Sequence, residues 1–226
     1  MKPTSCVFFD IHTHKIIGDS NCIALVNVSS AFQHLPNEKY FSVGLHPWYL
    51  EEAEAAFSSL KDAVEHSHVL AIGECGLDKV CKTDEELQRK YFIKQIELAN
   101  MVEKPLIIHC VRAFDEVLLL LKNMKVSIPV VFHGFNKNQE LADRILRDGY
   151  YLSFGKHLTV SSVLQDVFRN TPSDKVFLET DNADLSIELI YQKAAELKRI
   201  SLEGLVDQIK KNVIRVFGEK LIIDHE

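Results

Sequence analysis

Phe8-Phe9-Asp10-Ile11-His12-Thr13-His14 is a strand-forming apolar run that passes directly into two histidines. Side chains on a strand alternate faces, so His12 and His14, at i and i+2, point to one side and can reach a single cation. The same join recurs along the chain. Ala71-Ile72-Gly73 runs into Glu74, Leu106-Ile107-Ile108 into His109, Val130-Val131-Phe132 into His133, and Val176-Phe177-Leu178 into Glu179-Thr180-Asp181. A single join has an ordinary reading, since a lone histidine after a strand is commonly a hydrogen-bonded partner and a lone glutamate a helix cap. Independent structural roles would not all choose the carboxyl end of five strands.

Outward from these joins, short apolar runs read as eight strands: Val7 to Phe9, Ile23 to Val28, Ser42 to Leu45, Val69 to Ile72, Pro105 to Ile108, Val130 to Phe132, Tyr150 to Ser153 and Val176 to Leu178. Their continuous hydrophobicity suits a parallel sheet buried on both faces. Helical patterns lie between the later ones: Glu51 to Glu65, Glu85 to Val102, Phe114 to Lys122, Gln139 to Arg147, Ser162 to Arg169 and Ile187 to Lys198. A last helix, Leu202 to Phe217, has Ser201 as N-cap and an apolar stripe at Leu202, Leu205, Ile209 and Val213. This alternation predicts an α/β fold, a TIM-type (β/α)8 barrel, in one domain over residues 1–226. It would be compact, with shortened early crossovers between His12 and Cys22 and between Ser29 and Phe41. The rival, an open doubly wound sheet, lacks the glycine-rich phosphate loop after its first strand.

The chain has 226 residues, 46% hydrophobic and 26% charged, with 26 Lys plus Arg against 32 Asp plus Glu, a formal charge of −6. That composition fits a soluble globular protein and excludes broad basic adhesion to nucleic acid. No apolar run approaches the about 20 residues of a membrane span, and residues 1–20 do not read as a signal peptide. Five cysteines without a CxxC pair argue against a disulfide framework and against zinc fingers. The expectation is a cytoplasmic monomer with no obligate protein partner and no membrane association.

His12, His14, His109, His133, Glu74 and Asp181 are more donors than one tetrahedral ion needs and suit two divalent ions about 3.5–4 Å apart. Imidazole with carboxylate favours Zn or Mn, with Mg possible where substrate oxygens complete the shell. Such ions acidify a water and neutralise a phosphoryl oxygen, with Asp181 the first candidate for general base and Glu179 the second. Lys15, Lys79, Arg112, Lys137 and Lys156 follow strand ends and could form one electropositive face. Trp48, Tyr49, Phe114 and Phe135 could stack on bases or pack as lids. Cys75 and Cys110 read as small apolar packing residues.

The segments FFDIHTH, GLHPW, AIGECGLD, PLIIHC, VVFHGF and VFLETD, in that order, resemble the TatD family of metal-dependent hydrolases and deoxyribonucleases. The resemblance runs from Asp10 to about Phe217. It implies a somewhat irregular TIM barrel with two metals: His12, His14 and Asp181 on one ion, His109 and His133 on the other, and Glu74 bridging and catalytic with Asp181. His46, from GLHP, matches a residue near the substrate phosphate, and Arg112 and Lys137 are further candidates for substrate contact. The implied activity is hydrolysis of phosphodiesters, as a deoxyribonuclease of 3′–5′ exonuclease type acting on DNA or another phosphoester. An amidohydrolase or an aminoacyl-tRNA deacylase on the same centre is the alternative, and an inactive binding module is a third. Two departures from the family bear on the substrate pocket. His109-Cys110-Val111-Arg112-Ala113 shifts an Arg by one position, and Asn182-Ala183-Asp184 follows ETD in place of Ala-Pro-Tyr.

Overall fold

A computed structural model describes residues 7–16, 21–30, 32, 35–36 and 39–223; Cys6 and His225 lie outside them. In chain order the elements are β1 (Phe8–Thr13), β2 (Cys22–Val28), β3 (Tyr40–Val43), α1 (Ala53–Ala63), β4 (Val69–Asp78), α2 (Glu85–Val102), β5 (Leu106–Val111), α3 (Phe114–Asn123), β6 (Val130–Phe132), α4 (Gln139–Arg147), β7 (Tyr151–Phe154), α5 (Ser162–Asn170), β8 (Val176–Leu178), α6 (Ile187–Lys198), α7 (Leu202–Phe217) and α8 (Lys220–Ile223). Among the described residues no α-helix lies between β1 and β2 or between β2 and β3, as the short early crossovers imply. The chain divides into two compact units, Met1–Val26 with His133–Glu226, and Asn27–Phe132.

In the first unit β1 pairs in parallel with β2, from Phe8↔Cys22 to Thr13↔Val26, and β7 pairs in parallel with β8. The chain beyond β8 returns to β1: the Asp181 amide donates to His12 O at 2.9 Å, and the His14 amide donates to Asp181 O at 3.1 Å. First strand beside last is the closure that a barrel requires and that an open doubly wound sheet does not make. Buried Asp10 reinforces the join by accepting from the Thr180 amide (3.0 Å) and hydroxyl (2.5 Å). Burial outweighs those hydrogen bonds and pushes its carboxyl up to about 7. On α6 the buried Tyr191 hydroxyl donates to Phe9 O (2.9 Å) and accepts from Phe9 N (3.1 Å). Ser201 caps α7 by accepting from the Gly204 amide, and Leu205, Ile209 and Val213 are buried.

In the second unit β3, β4, β5 and β6 pair in parallel in sequence order. All ten residues of β4 are buried. Two glutamines of α2, two turns apart and so on one face, satisfy the chain around this sheet. Gln95 accepts from Leu45 N (2.7 Å) and donates to Leu45 O, and Gln88 accepts from Asp78 N (2.8 Å) and donates to Asp78 O. Strands β1, β4 and β5 run past their apolar stretches, so His12, Glu74 and His109 lie within strands, on fixed backbone.

Candidate functional site

The first unit gathers His12, His14, His133 and Asp181. His12 is fully buried, with Nε2 3.9 Å from Asp181 Oδ1; His14 is 40% exposed, with Nε2 3.3 Å from the same oxygen. The i, i+2 spacing thus brings both rings to one carboxylate. His133 packs on His12, ring centroids 4.3 Å apart, and its Nδ1 lies 3.3 Å from Oε1 of the buried Glu179. That oxygen also accepts from the Gly134 amide at 2.7 Å. Two imidazoles at one accessible carboxylate, with a third packed on His12, are a donor set suited to a divalent borderline cation.

The second unit gathers His46, Glu74, Asp78 and His109. Glu74 is buried, and its amide donates to Asn27 Oδ1 at 2.7 Å. Its Oε1 lies 2.6 Å from His109 Nδ1 and 3.2 Å from His46 Nε2. The far side of the His109 ring, Nε2, lies 3.1 Å from Asp78 Oδ2. A neutral imidazole has one N–H, so it can serve only one of these two carboxylates. At the other, a lone pair faces an anionic oxygen, and a cation reconciles the two. The donor set of this group therefore fits a divalent metal. Asp78 itself is held below the usual carboxylate range: burial works against this, and N–H groups from Trp48, Val80 and His109 overcome it.

The sequence reading missed Asp78, Asn27 and Asp10. Asp78 had a signal, since residues 74, 76 and 78 of one strand share a face, and both carboxylates meet His109. Arg112 and Lys137 are exposed, and neither has an ion-pair partner among the described residues. The expected cationic face is thinner than five residues: Lys15 is 3.4 Å from Asp184 and donates to Ala183 O, and Lys79 is 3.1 Å from Glu116. The aromatics divide. Trp48 and Tyr49 are 48% and 58% exposed, whereas Phe135 is buried against Phe154 and Phe114 stacks on Phe132. Cys75 packs as an apolar side chain, with burial raising its thiol.

Residues 12–218, which span both groups, match the family described as TatD related DNase. The chain belongs to the TatD family of metal-dependent hydrolases. Relatives named uncharacterized metal-dependent hydrolases include YabD of Bacillus subtilis, 29% identical over 79% of this chain and 77% of that protein. YjjV of Escherichia coli K12 is 31% identical over 79% and 76%. The crystal structure of YjjV superposes with a TM-score of 0.83 at 23% identity, covering 95% of this chain and 99% of that one. That likeness shows the fold: eight parallel strands in sequence order, with helices between them, form a TIM-type barrel. Among the described residues no helix is long and apolar enough to cross a membrane.

Proposed function

We propose that this TatD family protein is a two-metal phosphodiesterase, a deoxyribonuclease that removes nucleotides from DNA in the 3′–5′ direction as a cytoplasmic monomer. The observation that carries this reading is the His109 ring between Glu74 and Asp78, a geometry suited to a cation at Nδ1. By resemblance to the family, His12, His14, Glu74, His109, His133 and Asp181 would be the metal ligands. The bound ions (Zn, Mn or Mg) would lower the pKa of a water and offset charge on the phosphoryl oxygens.

The protein's own groups supply the rest. Asp181, a third exposed beside His14, accepts the proton of the attacking water as the water oxygen bonds to phosphorus and the P–O ester bond breaks, the departing ester oxygen taking up a proton from solvent. His46 offers an N–H toward a phosphoryl oxygen, and Arg112 and Lys137 hold flanking phosphates. The test joins elemental analysis to cleavage of end-labelled single- and double-stranded DNA. About two ions per chain are expected, fewer in His109→Ala, with a loss of at least about a hundredfold in kcat for Asp181→Asn. A metal-loaded protein that leaves both DNAs intact but cleaves an amide or an aminoacyl ester would overturn the nuclease assignment.

A further inference from the structure

We propose that the cleft beside Trp48 is a subsite that takes one base of the substrate, stacked on the indole ring. The loop after β3 and the loop before α2 border a cleft of about 480 Å³, with Trp48, Leu50, Cys81 and Leu87 in its walls. That volume is in the range of small-molecule sites. Trp48 is 48% exposed, yet its ring is not loose, because the indole N–H donates to Asp78 Oδ2 at 2.6 Å. The facing wall is fixed as well. Gln88 Nε2 donates to Cys81 Sγ at 3.2 Å and to Thr83 O at 2.9 Å, and the Cys81 thiol donates to Asp78 O at 3.3 Å. A half-exposed ring held at its edge is a ready stacking surface, since a ligand does not have to order it.

The chemistry of the cleft selects a planar, uncharged group. Leu50 and Leu87 give it apolar surface, and its rim sets Glu51 and Asp84 against one cation, Lys82, a balance that repels phosphate. Asp84 also caps α2, accepting from the Leu87 amide at 2.9 Å, so this helix start is already served by an anion of the protein's own. A nucleobase meets these conditions. Its π-face stacks on the indole, and an exocyclic amine can donate to a carboxylate on the rim. The position fits too: the Trp48 ring centroid lies 5.1 Å from that of His46 and 6.1 Å from that of His109, T-shaped to both. A base in the cleft therefore lies next to the group that would act on its phosphate. The choice of ligand rests on the proposed nuclease reading, whereas the cleft forms without any metal.

Trp48 is the only tryptophan of the chain, so its fluorescence reports on the cleft alone. The test titrates deoxyadenosine, which has a base and no phosphate, into chelator-treated protein. Saturable quenching is expected, undisturbed by inorganic phosphate or deoxyribose 5-phosphate. Thr83→Tyr fills the cleft and keeps the reporter. It should weaken deoxyadenosine binding about tenfold or more, the worth of one stacked base, and raise KM for DNA by a similar factor. Should that variant fail to fold, Trp48→Leu, followed by calorimetry, should lose deoxyadenosine binding. Quenching that rises linearly without saturating, as for a freely exposed indole, overturns the inference, and so does saturable quenching that Thr83→Tyr leaves unchanged. Displacement of deoxyadenosine by inorganic phosphate would make the cleft a phosphate site and overturn it equally. Saturable quenching in a metal-loaded protein that leaves DNA intact would sink the nuclease reading and leave the base site standing; DNA cleavage without any quenching would do the reverse.

Discussion

A Cβ atom placed on Gly76 would stand 1.9 Å from the carbonyl oxygen of His109. Gly76 is paired with His109 in the β4–β5 ladder, and its φ of +147° is one that side-chain-bearing residues rarely adopt. The absent side chain lets the strand carrying Glu74 and Asp78 close on the strand carrying His109. Gly76→Ala should therefore destabilise the protein by about 1–3 kcal/mol or more and displace His109. Gly149→Ala, at φ +87° with nothing within 4 Å of the new Cβ, carries the backbone strain alone. Thermal melts of the two variants check this. Equal losses would mean that the close approach is not what Gly76 provides.

Asp10 gives a pH signature. Its carboxyl, at about 7 in the folded protein against an ordinary 3.8, is protonated when folded and ionised when unfolded across that window. The folded state binds the extra proton, so the contribution is fullest at the acid end and is lost as pH rises through about 7. Asp10→Asn mimics the protonated acid: its carbonyl still accepts from Thr180 N, and its amide can donate to Thr180 Oγ1. In chelator-treated protein the variant should be more stable than wild type at pH 8, on the order of a few kcal/mol, and the gap should close towards pH 4. Parallel stability curves for the two proteins would refute the assignment.

Helix limits were legible because local chemistry sets them. Helices α2, α4, α6 and α7 begin where Asp84, Asn138, Ser186 and Ser201 accept from a first-turn amide, and their apolar periodicity ends with them. Strand limits were not, at the places that matter. Apolar runs stop before His12 and Glu74, yet β1 and β4 continue, because Thr180, Asn27 and Gln88 satisfy the polar groups there from distant parts of the chain. The metal-ligand candidates were visible as residue types at strand ends. The groups around them were hidden because Trp48 and Asp78, far apart in sequence, meet beside His109. Cation pairing was equally hidden: nothing local announces that Lys79 meets Glu116.

Metal binding should appear as stability. A ligand that binds only the folded chain, at about a hundred times its Kd, adds about 2.7 kcal/mol. For a chain of this size that raises Tm by about 5–11 °C. Zn added to chelator-treated wild type should give such a rise. His12→Ala removes a fully buried ring from the His14, His133 and Asp181 group and should lose much of it. A Tm indifferent to Zn, Mn and Mg in wild type would count against every metal role assigned above.

Charge variants separate substrate contacts from structural ion pairs. Arg112 and Lys137 are exposed without ion-pair partners among the described residues, whereas the Lys79 ammonium is engaged by Glu116. A phosphate-neutralising side chain releases a counterion, so Arg112→Ala and Lys137→Ala should each raise KM for DNA and lower the salt slope of binding by about one. Their kcat should change little. Lys79→Ala removes only an exposed pair, which contributes little to stability, and should leave the salt slope alone. Measuring kcat/KM between low and moderate salt for the three variants decides the matter. If Lys79→Ala flattens the slope as much as Arg112→Ala, the assignment of the unpaired cations to substrate is wrong, and the cationic face works through net charge alone.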